Sequence, residues 1–301
     1  MHFGDITLHI VSDGIYWEDG GGLFGLVPKT LWQQVAEPDE RNRLPFQMHC
    51  LLIETGQQRI LVDTGYGDKL SEKERSFISL AGEHRLLDSL EELGIGPLDV
   101  DLVINTHLHG DHCGGNTTYD ENGELVPTFP WATYCIQRLE LADATFPNER
   151  TRATYRRENF EPLERAGQLR ILSGDTCLTD ASSRAVPASG RGSSGSGEVR
   201  VVVTPGHTRA HQCVVIVSGG QTAIFLGDVA SWPIHMERLS WVPAYDVEPL
   251  VSIETKRRLA RWAVENRVLL IFEHHPEIVA GYLHSTERPD RFRLEPVQME
   301  G

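Results

Sequence analysis

The sequence predicts an α+β fold, built as one domain of 301 residues. Two strand-rich runs, each with helical segments interleaved, set the class. Side chains of metal-binding type stand directly after strands, and no internal repeat of fixed period breaks the pattern. Length alone allows one large domain or two small ones.

The elements follow in order. Residues 6–11 read as a strand closed by Ser12-Asp13-Gly14, and a glycine-rich loop follows (Gly20, Gly21, Gly22, Gly25). Residues 50–54, a Gly56-Gln57-Gln58 turn and residues 60–62 form a β-hairpin that feeds Asp63-Thr64-Gly65. Over 84–93, Leu86, Leu87, Leu90 and Leu93 recur at helical spacing, and Gly94 is a stop signal. Residues 100–104 form a short apolar strand ending at Asn105-Thr106. A helical region over 137–166 is broken by Pro147 and Pro162. Residues 181–198, rich in Ser, Gly and Ala, read as a flexible loop inside the domain, because strands resume at once. Residues 199–203, 213–217 and 222–226 are strands, 253–264 is an amphipathic helix, and 268–272 is a final buried strand.

Composition narrows the function. Hydrophobic residues make up 40% and charged residues 24%, the mix of a globular chain with a sizeable core. Acidic residues outnumber Lys plus Arg by 43 to 28, a net charge of -15. Phosphate contacts need a basic face, so neither nucleic acid nor a membrane surface is expected as partner. No basic segment followed by an apolar run opens the chain, and no apolar stretch reaches the roughly 18 residues of a membrane span. Five cysteines without a CxxC fit a reducing cytoplasm better than a disulfide framework. The expected setting is cytoplasmic and the expected partner a small-molecule substrate.

The chemistry is concentrated in His107-Leu108-His109-Gly110-Asp111-His112. His107 and His109 are two apart, so extended backbone puts both imidazoles on one side. Gly110 allows a tight turn, after which Asp111 and His112 face a neighbouring position. Three imidazoles and a carboxylate this close suit zinc or a similar borderline metal. His207 follows a strand and a Pro205-Gly206 turn, Asp228 follows a second strand, and His274 follows a third.

These residues resemble the metallo-β-lactamase superfamily. Its HxHxDH motif matches His107, His109, Asp111 and His112. Its later motifs match His207, Asp228 and His274, and Leu61-Val62-Asp63-Thr64-Gly65 matches its early aspartate motif. The resemblance spans residues 63–274 and implies a four-layer αββα sandwich with the metals at one edge, between the two sheets. It implies that His107, His109 and His207 hold one metal, that Asp111, His112 and His274 hold the second, and that Asp228 bridges them. His275 is the alternative to His274. Asp63 is implied to orient a ligand histidine, with a turn-forming aspartate as the plainer reading. Thr208 and His211 read as supporting residues, and Cys113 as a packed thiol. His2, His9, His49, His84, His235 and His284 match no motif.

The implied cofactors are two divalent metal ions, zinc foremost, with manganese, cobalt or iron accepted by the same donors. Two such ions share a bridging water and lower its pKa, which makes a hydroxide nucleophile. Asp111 is the expected catalytic residue, taking the water's proton and returning one to the leaving group. The expected reaction is hydrolysis of an ester-like bond, whether aryl ester, lactone or phosphotriester. The alternatives are a non-hydrolytic metal or redox protein on the same scaffold, and a nucleic-acid-processing hydrolase.

Within the superfamily, class B β-lactamases usually lack the equivalent of His112. A glyoxalase II would carry a basic C-terminal substrate domain, and the flavin-dependent diiron relatives a flavodoxin-like one. The chain resembles the lactonases and the methyl-parathion-hydrolase-like phosphotriesterases, and the stretch from Gly227-Asp228-Val229-Ala230-Ser231-Trp232 through Tyr245-Asp246 and Pro249 to Glu254-Thr255-Lys256 looks closer to the phosphotriesterase-like group. Homoserine-lactone lactonases usually carry tyrosine three residues after the bridging aspartate, where this chain has Ser231. Phe24, Trp32, Trp232 and Trp241 are candidates for an apolar pocket or for the core. The resemblance also implies a homodimer contact through the glycine-rich N-terminal loop and Trp32.

Overall fold

The computed structural model describes residues 1–81, 85–179 and 197–299. The Ser/Gly-rich loop expected over 181–198 lies outside the described residues up to 196, as does His84; Glu198 already begins a strand.

The N-terminal half builds one sheet from β1 (His2–Phe3), β2 (Ile6–Asp19), β3 (Arg43–Glu54), β4 (Arg59–Val62), β5 (Leu102–Ile104), β8 (Thr133–Gln137) and β9 (Leu169–Leu172), in that order across the sheet. A small hairpin of β6 (Thr117–Tyr119) and β7 (Leu125–Pro127) stands apart. The second sheet runs β10 (Thr176–Cys177), β11 (Glu198–Val203), β12 (Gln212–Ser218), β13 (Gln221–Phe225), β14 (Leu269–Ile271), β15 (Ala280–Ser285) and β16 (Phe292–Val297). Strands β4, β5, β8 and β9 are mutually parallel, as are β13 and β14. Two antiparallel pairings through β12 make β11 run with β13. The carboxyl ends of β4, β5, β11, β13 and β14 therefore meet at one edge.

The two sheets face each other across a core of aliphatic side chains. Leu8, Leu51, Ile53, Val62 and Ile104 come from the first sheet, and Val201, Val214, Ile216, Phe225 and Ile271 from the second. The outer face of the first sheet packs under the helix Leu86–Glu92 through Leu86 and Leu90. The outer face of the second packs under Pro249–Asn266 through Ala260 and Ala263. The result is the expected four-layer αββα sandwich, with apolar stripes buried at each interface.

Three elements differ from expectation. The strand expected to end at Ser12-Asp13-Gly14 continues to Asp19, because those residues form a bulge where the register against β3 shifts between Ser12 and Ile15. The glycine-rich segment begins with a short helix, Gly20–Phe24, capped by the Asp19 carboxylate on the Gly21 N–H. The strand at 269–271 is not the last, since β15 and β16 pair beyond it.

Candidate metal centre

Each candidate side chain follows a strand that delivers it to the shared edge. His107 and His109 leave β5 in extended backbone. Gly110 opens a one-turn helix, Gly110–Cys113, and that helix turns Asp111 and His112 back toward the same point. His207 follows β11, Asp228 follows β13, and His274 follows β14. His107, His112 and His274 are fully buried, and His207 is nearly so.

The inner ring nitrogens converge. His207 Nε2 lies 3.1 Å from His107 Nε2 and 3.1 Å from His109 Nδ1. His274 Nε2 lies 3.2 Å from His112 Nε2. Asp228 reaches both groups, with Oδ2 3.3 Å from His207 Nε2 and Oδ1 3.1 Å from His274 Nε2. Asp111 Oδ2 is 3.6 Å from His112 Nε2 and 3.9 Å from His274 Nε2.

Three of the outer nitrogens are spoken for. His207 Nδ1 donates to Asp246 at 3.0 Å, His274 Nδ1 to the Gln47 carbonyl at 2.8 Å, and His112 Nδ1 to Asp63 at 3.1 Å. Neutral rings that donate outward present only lone pairs inward, and facing lone pairs cannot bond to each other. A cation resolves this. Nitrogens about 2.0–2.1 Å from one tetrahedral zinc lie about 3.3 Å apart, close to the spacing found. The donor set fits two cations: His107, His109 and His207 converge as one group, Asp111, His112 and His274 as another, and Asp228 lies against both.

Without a cation, protons on the rings relieve the same repulsion in its place. Against the effect of burial, the Asp228 carboxylate and then Glu273 push His274 up to about 9. Burial and the neighbouring His207 push His109 down to about 3. Burial is opposed at Asp228 by His274 and His207, which hold its carboxyl well below the usual range. A cation displaces the ring protons, so uptake releases protons.

Residues 43–261 match the family described as "Metallo-beta-lactamase superfamily". The chain belongs to the metallo-β-lactamase superfamily. An N-acyl homoserine lactonase of Bacillus cereus is 25% identical over 250 residues, covering 80% of this chain and 86% of that one. A crystal structure described as a probable metal-dependent hydrolase from Staphylococcus aureus is 27% identical, covers 100% of both chains and superposes with a TM-score of 0.82. The structure of AidC, described as a dizinc quorum-quenching lactonase in complex with a product, shares the fold at 18% identity and a TM-score of 0.76, covering 100% of this chain and 97% of that one.

The metallo-β-lactamase chain thus brings together all seven residues expected from its sequence. His275 is turned away: its Nδ1 accepts from Glu277 N and Ile278 N, and its ring packs on Trp232. Asp63, at φ 58, accepts from Thr106 N, Thr106 Oγ1 and His112 Nδ1, so it orients the loop and one imidazole together. His211 accepts the Asp228 N–H, and Thr208 donates to Glu140. Cys113 is fully buried and donates to the Leu108 carbonyl.

Sequence reasoning missed several residues. Asp246 grips His207. Glu140, buried, accepts from Leu108 N, Tyr155 Oη and Thr208 Oγ1, tying the HxHxDH loop to the His207 loop. Glu273 places Oε1 3.0 Å from His112 Nδ1. Tyr16 Oη donates to Asp111 Oδ2 at 2.8 Å. No local pattern marks these residues, because their partners are distant in sequence.

A cavity of about 390 Å³ opens onto the cluster, with Tyr16, Glu18, Phe46, Tyr66, Arg150 and Tyr245 among its walls. Phe24, Trp32, Trp232 and Trp241 do not line it; they form a buried aromatic cluster beside it, where Phe24 stacks on Trp32 at 5.0 Å. Trp32 is only 2% exposed, so it is not available for the expected contact with a second copy. No described helix is long and apolar enough to cross a membrane.

Proposed function

We propose that the protein is a metal-dependent hydrolase of ester-like bonds in small molecules. In this reading His107, His109 and His207 hold one cation, Asp111, His112 and His274 hold a second, and Asp228 bridges. The observation that supports it is the inward convergence of five imidazoles, three of which, His112, His207 and His274, already use their outer nitrogens. Bound divalent cations supply Lewis-acid polarisation of the scissile carbonyl and acidify a water. Zinc suits the nitrogen-rich donor set best, with manganese, cobalt and iron as competitors for the same residues.

The chain's own residues do the rest. Asp111, at the cavity floor, holds and returns the proton exchanged between water and leaving group. Tyr16 fixes the Asp111 carboxylate by donating to Oδ2. Asp246 and Asp63 set the orientation of His207 and His112. A cavity of about 390 Å³ accommodates a small-molecule ester.

Lactones are the favoured substrates, because the relatives reported above include N-acyl homoserine lactonases. Aryl esters and phosphotriesters are the alternatives. Metal content by mass spectrometry, with hydrolysis screened on the three classes, tests the reading. Asp111→Asn is expected to lower turnover about a hundredfold or more. His207→Ala is expected to lower metal content by about one equivalent; unchanged metal overturns the ligand assignment. A metal-loaded protein that cleaves none of the three classes overturns the hydrolase reading.

A further inference from the structure

Asp228 serves two groups at once. Its Oδ1 lies 3.1 Å from His274 Nε2, while its Oδ2 lies 3.3 Å from His207 Nε2 and 3.5 Å from His112 Nε2. A carboxylate turns easily about its Cβ–Cγ bond, because that torsion has broad wells. An unrestrained one can turn both oxygens toward a single cation and abandon the other. A bridge therefore needs the plane of its carboxylate held across the cluster.

The chain supplies the restraint locally. After β13 the backbone enters a turn of 3-10 helix, Gly227–Ala230, with Ser231 as its closing residue. Such a helix has three residues per turn, so side chains three apart lie one above the other. Asp228 and Ser231 are such a pair, and Ser231 Oγ donates to Asp228 Oδ1 at 2.8 Å. Ser231 is fully buried, where water does not compete for its hydroxyl and the bond is electrostatically stronger. The bond holds Oδ1 beside His274 and leaves Oδ2 to reach across to His207.

Ser231 has one hydroxyl hydrogen, and Asp228 takes it. Its lone pairs stay open. Tyr245 Oη stands 3.4 Å from Ser231 Oγ, so in this contact the phenol has the hydrogen to give. The contact is longer than the roughly 2.7–2.8 Å usual between hydroxyls, which makes it the weaker link. Tyr245 walls the cavity, and its ring lies edge-on to His207 with centroids 5.7 Å apart.

We propose that Ser231 is the positioning residue of the bridging carboxylate, and that Tyr245 supports it from the cavity wall. The proposal rests on the two-cation reading above. Both residues act through Asp228: the order Tyr245 to Ser231 to Asp228 carries a hydrogen bond at each step and ends on the group that joins the two ligand sets.

Cobalt(II) loading, read by chelator competition and by visible absorption, tests it. The wild-type protein is expected to take up two equivalents. Ser231→Ala removes one oxygen and adds no bulk; it is expected to weaken one or both equivalents by about tenfold or more and to alter the cobalt spectrum. Tyr245→Phe keeps the ring on His207 and is expected to cost about two- to fivefold in wild type and nothing further in Ser231→Ala. Two equivalents in wild type with affinity and spectrum unchanged in Ser231→Ala overturn the assignment of Ser231 and leave the metal reading standing. A lower melting temperature of metal-free Ser231→Ala with cobalt affinity intact overturns it too, since the hydroxyl then serves the fold alone. Equal losses from Tyr245→Phe in both backgrounds overturn the link to Tyr245. A wild-type protein that takes up no cobalt overturns the metal reading, and this proposal with it.

Discussion

Asp246 Oδ1 lies 3.0 Å from His207 Nδ1, while Ser252 Oγ donates to the other oxygen of the same carboxyl at 2.6 Å. Both residues are buried, and Ser252 belongs to the helix Pro249–Asn266. The helix thus fixes a carboxylate, and the carboxylate fixes a ring. Such contacts set the tautomer of a ligating histidine and raise its basicity.

Asp246→Asn keeps an acceptor for the ring but removes the charge. Metal affinity is expected to fall about 10- to 100-fold, measured by competition with a chromophoric chelator. Circular dichroism should show an intact fold. Unchanged affinity would mean that His207 needs no support from Asp246.

Glu140→Ala leaves three buried donors, on Leu108, Tyr155 and Thr208, without their acceptor. Each such loss costs about 1–3 kcal/mol, so a fall in unfolding free energy of about 3 kcal/mol or more is expected in urea titration. Glu140→Gln keeps one oxygen and should recover part of it. A loss below about 1 kcal/mol for the alanine variant would show that water replaces the carboxylate at no cost.

Gly206 adopts φ +144, and a Cβ there would collide with Ser252 Oγ and sit 2.5 Å from its Cα. Gly206→Ala therefore strains the backbone and pushes Ser252 off Asp246. Lower thermal stability and weaker metal binding are expected together. A stability loss with metal affinity intact would break the proposed chain from Ser252 to Asp246 to His207.

Glu18 gives a pH dependence with a definite sign. Its folded value of about 7 lies above the ordinary 4.5, so the folded protein holds this proton more tightly than the unfolded chain. The associated stability is full below about 4.5 and is lost as pH rises through 7. In the metal-free protein, Glu18→Gln removes the dependence. Its melting temperature relative to wild type should rise between pH 4.5 and 8, and a flat difference across that window would refute the assignment.

The convergence of the His and Asp side chains was legible in the sequence because few residue types bind divalent metals and each stands just beyond an apolar strand. The sandwich was legible for the same reason: two runs of strand-length apolar segments flank interleaved helices. The bulge in β2 was not legible, because Ser12-Asp13-Gly14 is also a turn signature, and only pairing with β3 shows that the strand continues. Strand β16 was hidden by charged residues on its exposed face, Arg293 and Glu295, and β15 by Gly281, His284 and Ser285 within a short run. The supporting carboxylates were hidden by distance, since Asp246 lies 39 residues from His207 and Glu140 lies 68 from Thr208. The tryptophans looked equally suited to pocket or core, and packing placed them in the core.

The run Tyr245-Asp246-Val247 has one further consequence. Tyr245 and Val247 wall the cavity, Asp246 between them grips His207, and the Val247 N–H bonds to the His207 carbonyl. Changes that reshape the cavity here also shift the orientation of His207, a proposed metal ligand. A substitution in this tripeptide that admits a new substrate is therefore expected to reset the metal requirement at the same time, so the two properties cannot be tuned separately here.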